Sequence, residues 1–205
     1  DSALATVSFL KDGVRYERTA FCSHPDNVLV IRFTANKRGK QNLSLRYCPN
    51  PLATGETEVN GGNSLVYHAA LDNNGMRFNV RIKMIARGGK VQRAGGRLSV
   101  KGADEVMFLL TADTDYKMNF DPDFNDPLAY VGVDPDKTTE AWLGAAAKMD
   151  YKRLLDRHLE DYQPIFDHVS LQIGDGLWPD LHKATADRLA DYRKGIEDPY
   201  LETLY

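Results

Sequence analysis

The chain has 205 residues, with 26 basic and 29 acidic side chains and a formal net charge of -3 at pH 7. This length is enough for one large domain, or for a domain with an appendage, and for a buried core that needs no disulfide or metal. The near balance of charge argues against nucleic-acid binding, which usually shows as a basic face. The sequence has no apolar run of 18 residues, so no membrane partner is expected.

The first part of the chain predicts strands joined by tight turns. Residues 2–10 and 14–22 are extended runs separated by Asp12 and Gly13, a pair that tolerates the positive φ of a hairpin turn. Residues 27–34 are apolar on both faces, which is typical of a central strand covered on two sides. Residues 49–63 are rich in Pro, Gly, Asn and Thr and predict a long loop.

The clearest predicted strand is 76–86, in which apolar residues alternate with polar and basic ones. The polar positions are Arg77, Asn79, Arg81 and Lys83. This alternation predicts an antiparallel sheet with one face exposed to water. Gly88-Gly89 and Gly95-Gly96 predict the ends of short strands, and residues 106–110 predict the last one. About nine strands with no helix between them indicate a mainly β fold, an antiparallel β-sandwich of the supersandwich type.

The two cysteines, Cys22 and Cys48, lie far apart and lack the paired spacing of a metal site. Free cysteine is among the most buried residue types, so the sequence favours two buried thiols and leaves a disulfide between them open. No histidine pair has the spacing of metal ligands on a helix. The sequence therefore predicts no metal and no cofactor.

The pattern changes after residue 115. Three Asp-Pro pairs predict an irregular segment, because proline biases the preceding residue away from helix. Helices are predicted over 137–149, over 151–166 with an end at Pro164, and over 185–194. Residues 169–173 alternate as a short strand.

We therefore predict two regions. Residues 1–115 form an antiparallel β-sandwich domain, and residues 116–205 form an irregular connector and a helical linker region. The chain opens on a strand and stops at what reads as the entrance of a helix. The expectation is that the chain is a piece of a larger protein.

Several runs, taken in order, resemble the N-terminal region of glycoside hydrolase family 95. In the β-rich part they are Ala3–Phe9, Asp12–Arg18, Ser23–Arg32, Gly75–Phe78 and Gly95–Asp104. In the helical part they are His158–Tyr162, Phe166–Leu171 and Asp187–Tyr192. The ordered set covers nearly the whole chain, although no single run is decisive.

The resemblance implies a parent enzyme of the α-L-fucosidase type, with some relatives acting on α-galactosides. In that family a β-sandwich precedes a helical linker and an (α/α)6 barrel, whose glutamic acid acts as general acid in an inverting reaction. The barrel would lie beyond this chain, so no catalytic residue is assigned here and the chain alone is expected to be inactive. The implied partners are a fucosylated glycan, through the parent, and the barrel itself. The compartment stays open, with a secreted or periplasmic parent as one expectation.

Two alternatives remain. A self-sufficient carbohydrate-binding module would need two or three exposed aromatic rings on one sheet face. The equivalent domain of a related glycoside phosphorylase would have the same fold, and fold does not fix function.

A few residues invite a functional interpretation. The acidic stretch Asp113, Asp115, Asp121, Asp123 and Asp126 is favoured as a solvated connector over a cation or substrate-edge site, because it lacks the calcium-loop pattern. His158 is favoured as a packing residue over an acid or base.

The two tryptophans are the candidates for stacking on a sugar ring. For Trp142, packing in the core or at a domain interface is favoured. Trp178 lies in a predicted loop and is the better candidate for contact with a substrate or with the barrel.

Overall fold

A computed structural model describes residues 2–171 and 182–203 of the chain. The chain divides into two compact units, Ser2–Tyr162 and, together with Asp1, Gln163–Tyr205. The first contains the sheet and the helices that pack on it. The second contains short helices. The boundary at residue 115 between a β-sandwich domain and a linker region remains a prediction.

Eight antiparallel strands form one hydrogen-bonded sheet. They are β1 Ala5–Lys11, β2 Val14–Ser23, β3 Val28–Ala35, β4 Gln41–Arg46, β5 Ala53–Asn60, β6 Ser64–Leu71, β7 Arg77–Ala94 and β8 Arg97–Thr114. Their order is β1-β2-β3-β8-β7-β6-β5, with β4 paired to β8 beside β3. The predicted mainly β, antiparallel fold class is confirmed, with eight strands among the described residues instead of about nine.

The β7–β8 hairpin produces two facing layers from this one sheet. The pairing shifts register between Arg87 and Gly88, and both strands then continue to the turn at Gly95-Gly96. Such a bulge bends a strand and increases its twist. The far part of the hairpin and β4 face the rest of the sheet across a core that includes Leu65, Met84 and Leu98.

The glycine pair at the bulge shows why one prediction was wrong. Gly88 and Gly89 do not end a strand, because β7 passes through both with φ of 72° and 70°. A Cβ on Gly89 would lie 2.5 Å from the Lys101 carbonyl oxygen, so glycine is needed where the two backbones approach. Gly95-Gly96 form a turn as predicted. The predicted loop 49–63 was also wrong, since it contains β5.

The predicted turn at Asp12-Gly13 is confirmed. Both residues have positive φ, 50° and 68°, which fits the primed turns that join adjacent strands. The Lys11–Val14 pair closes the β1–β2 hairpin directly next to this turn. Local sequence therefore fixed the register of the first two strands.

Within the described residues, four helices follow the sheet. They are α1 Pro135–Ala146, α2 Tyr151–Phe166, α3 Thr185–Tyr192 and α4 Pro199–Thr203. Pro164 lies inside α2 and does not end it, since the amide of Asp167 still bonds to the carbonyl of Gln163. Residues 169–171 form no strand, and the Ile173 end of that predicted strand lies outside the described residues. None of the described helices is long and apolar enough to cross a membrane.

Helices α1 and α2 cover the outer face of the sheet. Val30, Leu109, Leu143 and Leu154 are buried together between the strands and the helices. The prediction of a wet face on β7 was therefore wrong at Asn79 and Arg81, which the helical layer buries.

The prediction of two buried cysteine thiols was wrong as well. Cys22 and Cys48 are free and exposed, because Cys22 lies on the opposite side of β2 from its buried neighbours Phe21 and Ser23.

Candidate functional site: a polar network under helix α1

The start of α1 carries the residues that meet the sheet. Asp134 is the N-cap, and its carboxylate accepts from the backbone N–H of Asp136 at 3.0 Å, while Pro135 occupies the first turn. A cap followed by proline is a strong helix-start signal. Asp136 and Thr139 are three residues apart, so they share one face of the helix.

The sheet supplies three polar side chains on the face below α1. His68 on β6 is the register partner of Asn79 on β7, and Arg81 follows two residues later on the same face. Asp136 Oδ1 accepts from Arg81 Nη2 at 2.6 Å and from Asn79 Nδ2 at 3.0 Å, and it lies 3.3 Å from His68 Nδ1. One carboxylate oxygen thus joins Arg81 and Asn79 of the sheet to the helix.

Thr139 completes the network one turn later. Its hydroxyl lies 2.9 Å from the acceptor Asn79 Oδ1, and Arg81 Nε donates to it at 3.3 Å. Thr111 on β8 donates to the Thr139 carbonyl at 3.1 Å. Asn79, Thr111 and Thr139 are essentially inaccessible to water, so these bonds supply the partners that buried polar groups require.

The electrostatics of the network suit attachment better than proton transfer. Asn79 Nδ2 lies 2.9 Å from His68 Nδ1, and because an amide nitrogen only donates, that imidazole nitrogen is the acceptor. The Asp136 carboxylate is matched by the Arg81 guanidinium, whose side chain is 8% exposed. Glycoside hydrolysis needs two carboxylates that flank a scissile bond. Here Asp134 caps the helix and Asp136 holds a buried cation.

An open cleft of about 460 Å³ lies beside the network. Its lining combines the half-exposed His68 and Asp136 with Thr54 and Arg77. Arg77 is held from the side by Asp115, which is 3% exposed and accepts from both the backbone N–H and Nε of Arg77 at 2.9 Å. The hydrogen bond that Arg77 donates to the Asp115 carboxylate raises the pKa of the Arg77 guanidinium above its ordinary value.

Asp115 therefore departs from the predicted solvated connector, since it is a buried anchor between β7 and the end of β8. Asp113 is half-buried in β8, and Asp121, Asp123 and Asp126 are exposed. Asp123 and Asp126 accept from backbone N–H groups two residues ahead, as side chains do in Asx turns. Within the described ranges, no group of three or more His, Cys, Asp or Glu side chains is placed to hold one metal ion.

His158 is the packing residue that the sequence favoured. It is 4% exposed, its ring centroid lies 5.0 Å from that of Phe21, and its Nε2 is 2.9 Å from the Ser2 carbonyl oxygen. Trp142 is half-buried beside Val28 and Leu110. Trp178, the predicted substrate or interface contact, lies outside the described residues, so its role stays a prediction.

Sequence reasoning missed the network itself. The available signal was the pair of polar positions Asn79 and Arg81 inside a strongly apolar strand, together with the capping motif Asp134-Pro135-Asp136. It also missed the anchor of α2. There Arg157 Nε donates to Asp26 at 2.9 Å, and Asp26, 5% exposed in its side chain, also accepts from Ser23 at 2.7 Å.

Comparisons with known proteins agree with this architecture. The family model described as "Glycosyl hydrolase family 65, N-terminal domain" matches residues 1–119. "Alpha-L-fucosidase 2" of Arabidopsis thaliana is 26% identical over all of this chain, and "Probable alpha-fucosidase A" of Aspergillus niger is 27% identical over all of it. These matches confirm the resemblance to fucosidases predicted from the sequence.

The chain spans only 27% and 26% of the length of those two relatives. A solved structure described as "Putative kojibiose phosphorylase from human microbiome" superposes with a TM-score of 0.50 at 11% identity, over 82% of this chain and 23% of that one. At that identity the likeness concerns the fold alone.

Proposed function

Because this chain belongs to the N-terminal domains of glycosyl hydrolase family 65, we propose that it is the non-catalytic N-terminal domain of an α-L-fucosidase. On this proposal, terminal α-fucosides are hydrolysed with inversion in an (α/α)6 barrel outside residues 1–205. The names of the two relatives support the substrate class. Their length, about four times that of this chain, supports a larger parent enzyme. A fucosylated glycan is then a partner of the parent.

The non-catalytic role is supported by the hydrogen bonds of the polar residues at the start of α1 and on the sheet beneath it. Asp134, Asp136, Asn79 and Arg81 are engaged in capping α1 and in holding it on the sheet. The apolar contacts of Leu143 and Leu154 add to the same attachment. The domain thus acts as a rigid platform for the helical segment that begins after residue 134, and residues 116–205 act as connector and linker.

The test is an assay of α-1,2-fucoside hydrolysis by this chain and by the same gene product extended through its downstream region. We expect activity in the extended protein alone. The matched control is Asp136→Ala in the 205-residue chain. If the short chain hydrolyses the fucoside and Asp136→Ala removes that activity while the fold is retained, the network is catalytic and the proposal is wrong. Inactivity of both proteins would reject the fucosidase assignment and keep the domain role.

A second candidate, glycan binding by the sheet itself, is favoured by one observation. Phe9 on β1 and Tyr16 on β2 lie on the same sheet face with ring centroids 5.3 Å apart, and Phe9 is 45% exposed. Exposed aromatic rings are the usual contact surface for saccharides. Calorimetric titration of the chain with a fucosylated oligosaccharide tests this candidate, with Phe9→Ala as the control. Absence of binding heat would reject it.

A further inference from the structure

The connector between the sheet and α1, residues 116–133, exposes an unusual amount of apolar side chain. Phe120 and Phe124 are 93% and 88% exposed. Met118, Leu128 and Val133 are also largely exposed. The two phenylalanine rings alone present roughly 300 Å² of apolar surface, because an aromatic side chain contributes about 150–250 Å². Soluble monomers rarely expose contiguous apolar patches beyond a few hundred Å².

The backbone of this connector is nevertheless fixed. Tyr116 and Val131 form a β-bridge, and the Lys117 amide donates to the Tyr130 carbonyl at 2.7 Å. The Gly132 amide donates to the Asp115 carbonyl at 2.6 Å. Closed ends are a feature of Ω-loops, a loop class that is frequently functional. The connector therefore presents a defined surface.

The exposed side chains of the connector indicate which kind of partner fits. Asn119, Asp123 and Asp126 each use one side-chain oxygen to accept from a backbone N–H group two residues ahead, which stabilises the local turns. Exposed phenylalanine, methionine and leucine match the apolar centre of a protein–protein interface, in which aromatic residues and methionine are enriched, and the exposed Asp121, Asp123 and Asp126 would lie at its polar rim.

We propose that the connector is a docking surface for an apolar face of the downstream domain of the same polypeptide, with Phe120 and Phe124 as its anchors. This inference rests on the proposed function, since the chain spans about a quarter of the length of its two relatives. The position of the connector agrees with this occupant. It lies between β8 and α1 in the chain, and α1 is hydrogen-bonded to the sheet, so the backbone of the connector is attached at both of its ends.

The experiment compares the 205-residue chain with the gene product extended beyond Tyr205. Hydrogen exchange is followed over residues 118–130 in both proteins, and thermal unfolding is followed for the double substitution Phe120→Asp, Phe124→Asp. We expect exchange over 118–130 to be at least tenfold slower in the extended protein. The double variant should lower the Tm of the extended protein by several degrees and leave that of the short chain unchanged. Leu52→Asp, at a 70% exposed position outside the connector, is the matched control and should change neither.

Three results would overturn the inference. Equal exchange in the two proteins means that nothing covers the connector. Dimerisation of the short chain that the double variant abolishes means that a second copy is the occupant. A change in the Phe120 and Phe124 NMR signals of the short chain on addition of fucosylated oligosaccharide means that the surface binds sugar. Fucosidase activity is measured separately, so loss of protection with retained activity rejects the docking surface and not the proposed function.

Discussion

The α1–α2 layer and the connector 116–133 are neighbours in sequence, and both are rich in apolar residues. In the layer, Leu143 and Leu154 are buried against the strands, and the polar groups beneath have partners. In the connector, Phe120 and Phe124 stay in contact with water although the backbone is hydrogen-bonded. The difference shows that local turns order a segment without burying it. Burial requires an opposing surface, and the sheet supplies one to α1 and α2.

The largest effect on stability should come from shortening a buried side chain of the α1–α2 layer. Leu154 is fully buried, so Leu154→Ala should lower the free energy of unfolding by about 3 kcal/mol through lost burial and a residual cavity. Phe120→Ala should change it by less than about 0.5 kcal/mol, because an exposed ring loses little. Urea unfolding of both variants measures the contrast. A comparable loss for Phe120→Ala would mean that the connector is buried in solution.

The next effect concerns the polar network of the layer. Asp136→Ala should lower the free energy of unfolding by about 2–3 kcal/mol, since it leaves the Arg81 cation buried without its partner. The matched control is Asp156→Ala, which breaks the exposed Lys152–Asp156 pair and should cost less than about 0.5 kcal/mol. Equal losses in the two denaturant titrations would show that water reaches Arg81 and that the network does not hold α1.

A somewhat smaller effect is expected at the base of the connector. Asp115→Ala removes the acceptor of two hydrogen bonds from Arg77. It should lower the free energy of unfolding by about 2 kcal/mol, which is typical of hydrogen bonds to a buried charged group. Amide exchange over 116–132 should then become faster, while exchange within α1 stays slow. If α1 loosens to the same extent, the connector and the layer are one cooperative unit.

The smallest effect is a pH dependence in the C-terminal unit. Asp191 accepts from Lys183 and Lys194 at 2.8 and 2.9 Å, which lowers its pKa to about 2 from an ordinary 3.8. A carboxyl with a lowered pKa contributes stability that is complete above its unfolded pKa and is lost as pH falls toward the folded one. Helicity of α3 should therefore decline between about pH 4 and pH 2. NMR titration of the Asp191 carboxyl measures the pKa, and Lys183→Gln should raise it. A pKa near 3.8 in the unsubstituted chain would contradict these contacts.

Parts of the fold were predictable because their signals are local. The Asp12-Gly13 turn and the extended runs around it depend on backbone preferences of a few adjacent residues. The Asp134-Pro135 pair carries an equally local signal, but it was assigned to the irregular segment, whereas it caps and begins α1. The antiparallel class also followed from sequence, since the strands are too close together to leave room for helical crossovers.

Other features depended on partners that are distant in sequence. The alternation of β7 fixed which residues share a face, but the choice between water and α1 for Arg81 depended on a helix more than fifty residues away. The same holds for Asp115, which reads as one more acidic residue in a connector until Arg77 is placed beside it.

By itself the sequence determined most of the strands, the turn at Asp12-Gly13, the antiparallel class and the resemblance to fucosidases, because periodicity, turn chemistry and ordered motifs are properties of the chain read along its length. Only the tertiary structure decided that β7 continues through Gly88-Gly89, that the two layers belong to one sheet, and that Asn79, Arg81, Asp136 and Thr139 form one network. Packing contacts and buried hydrogen bonds join residues across the fold, so their energies are set by a geometry that no local pattern specifies.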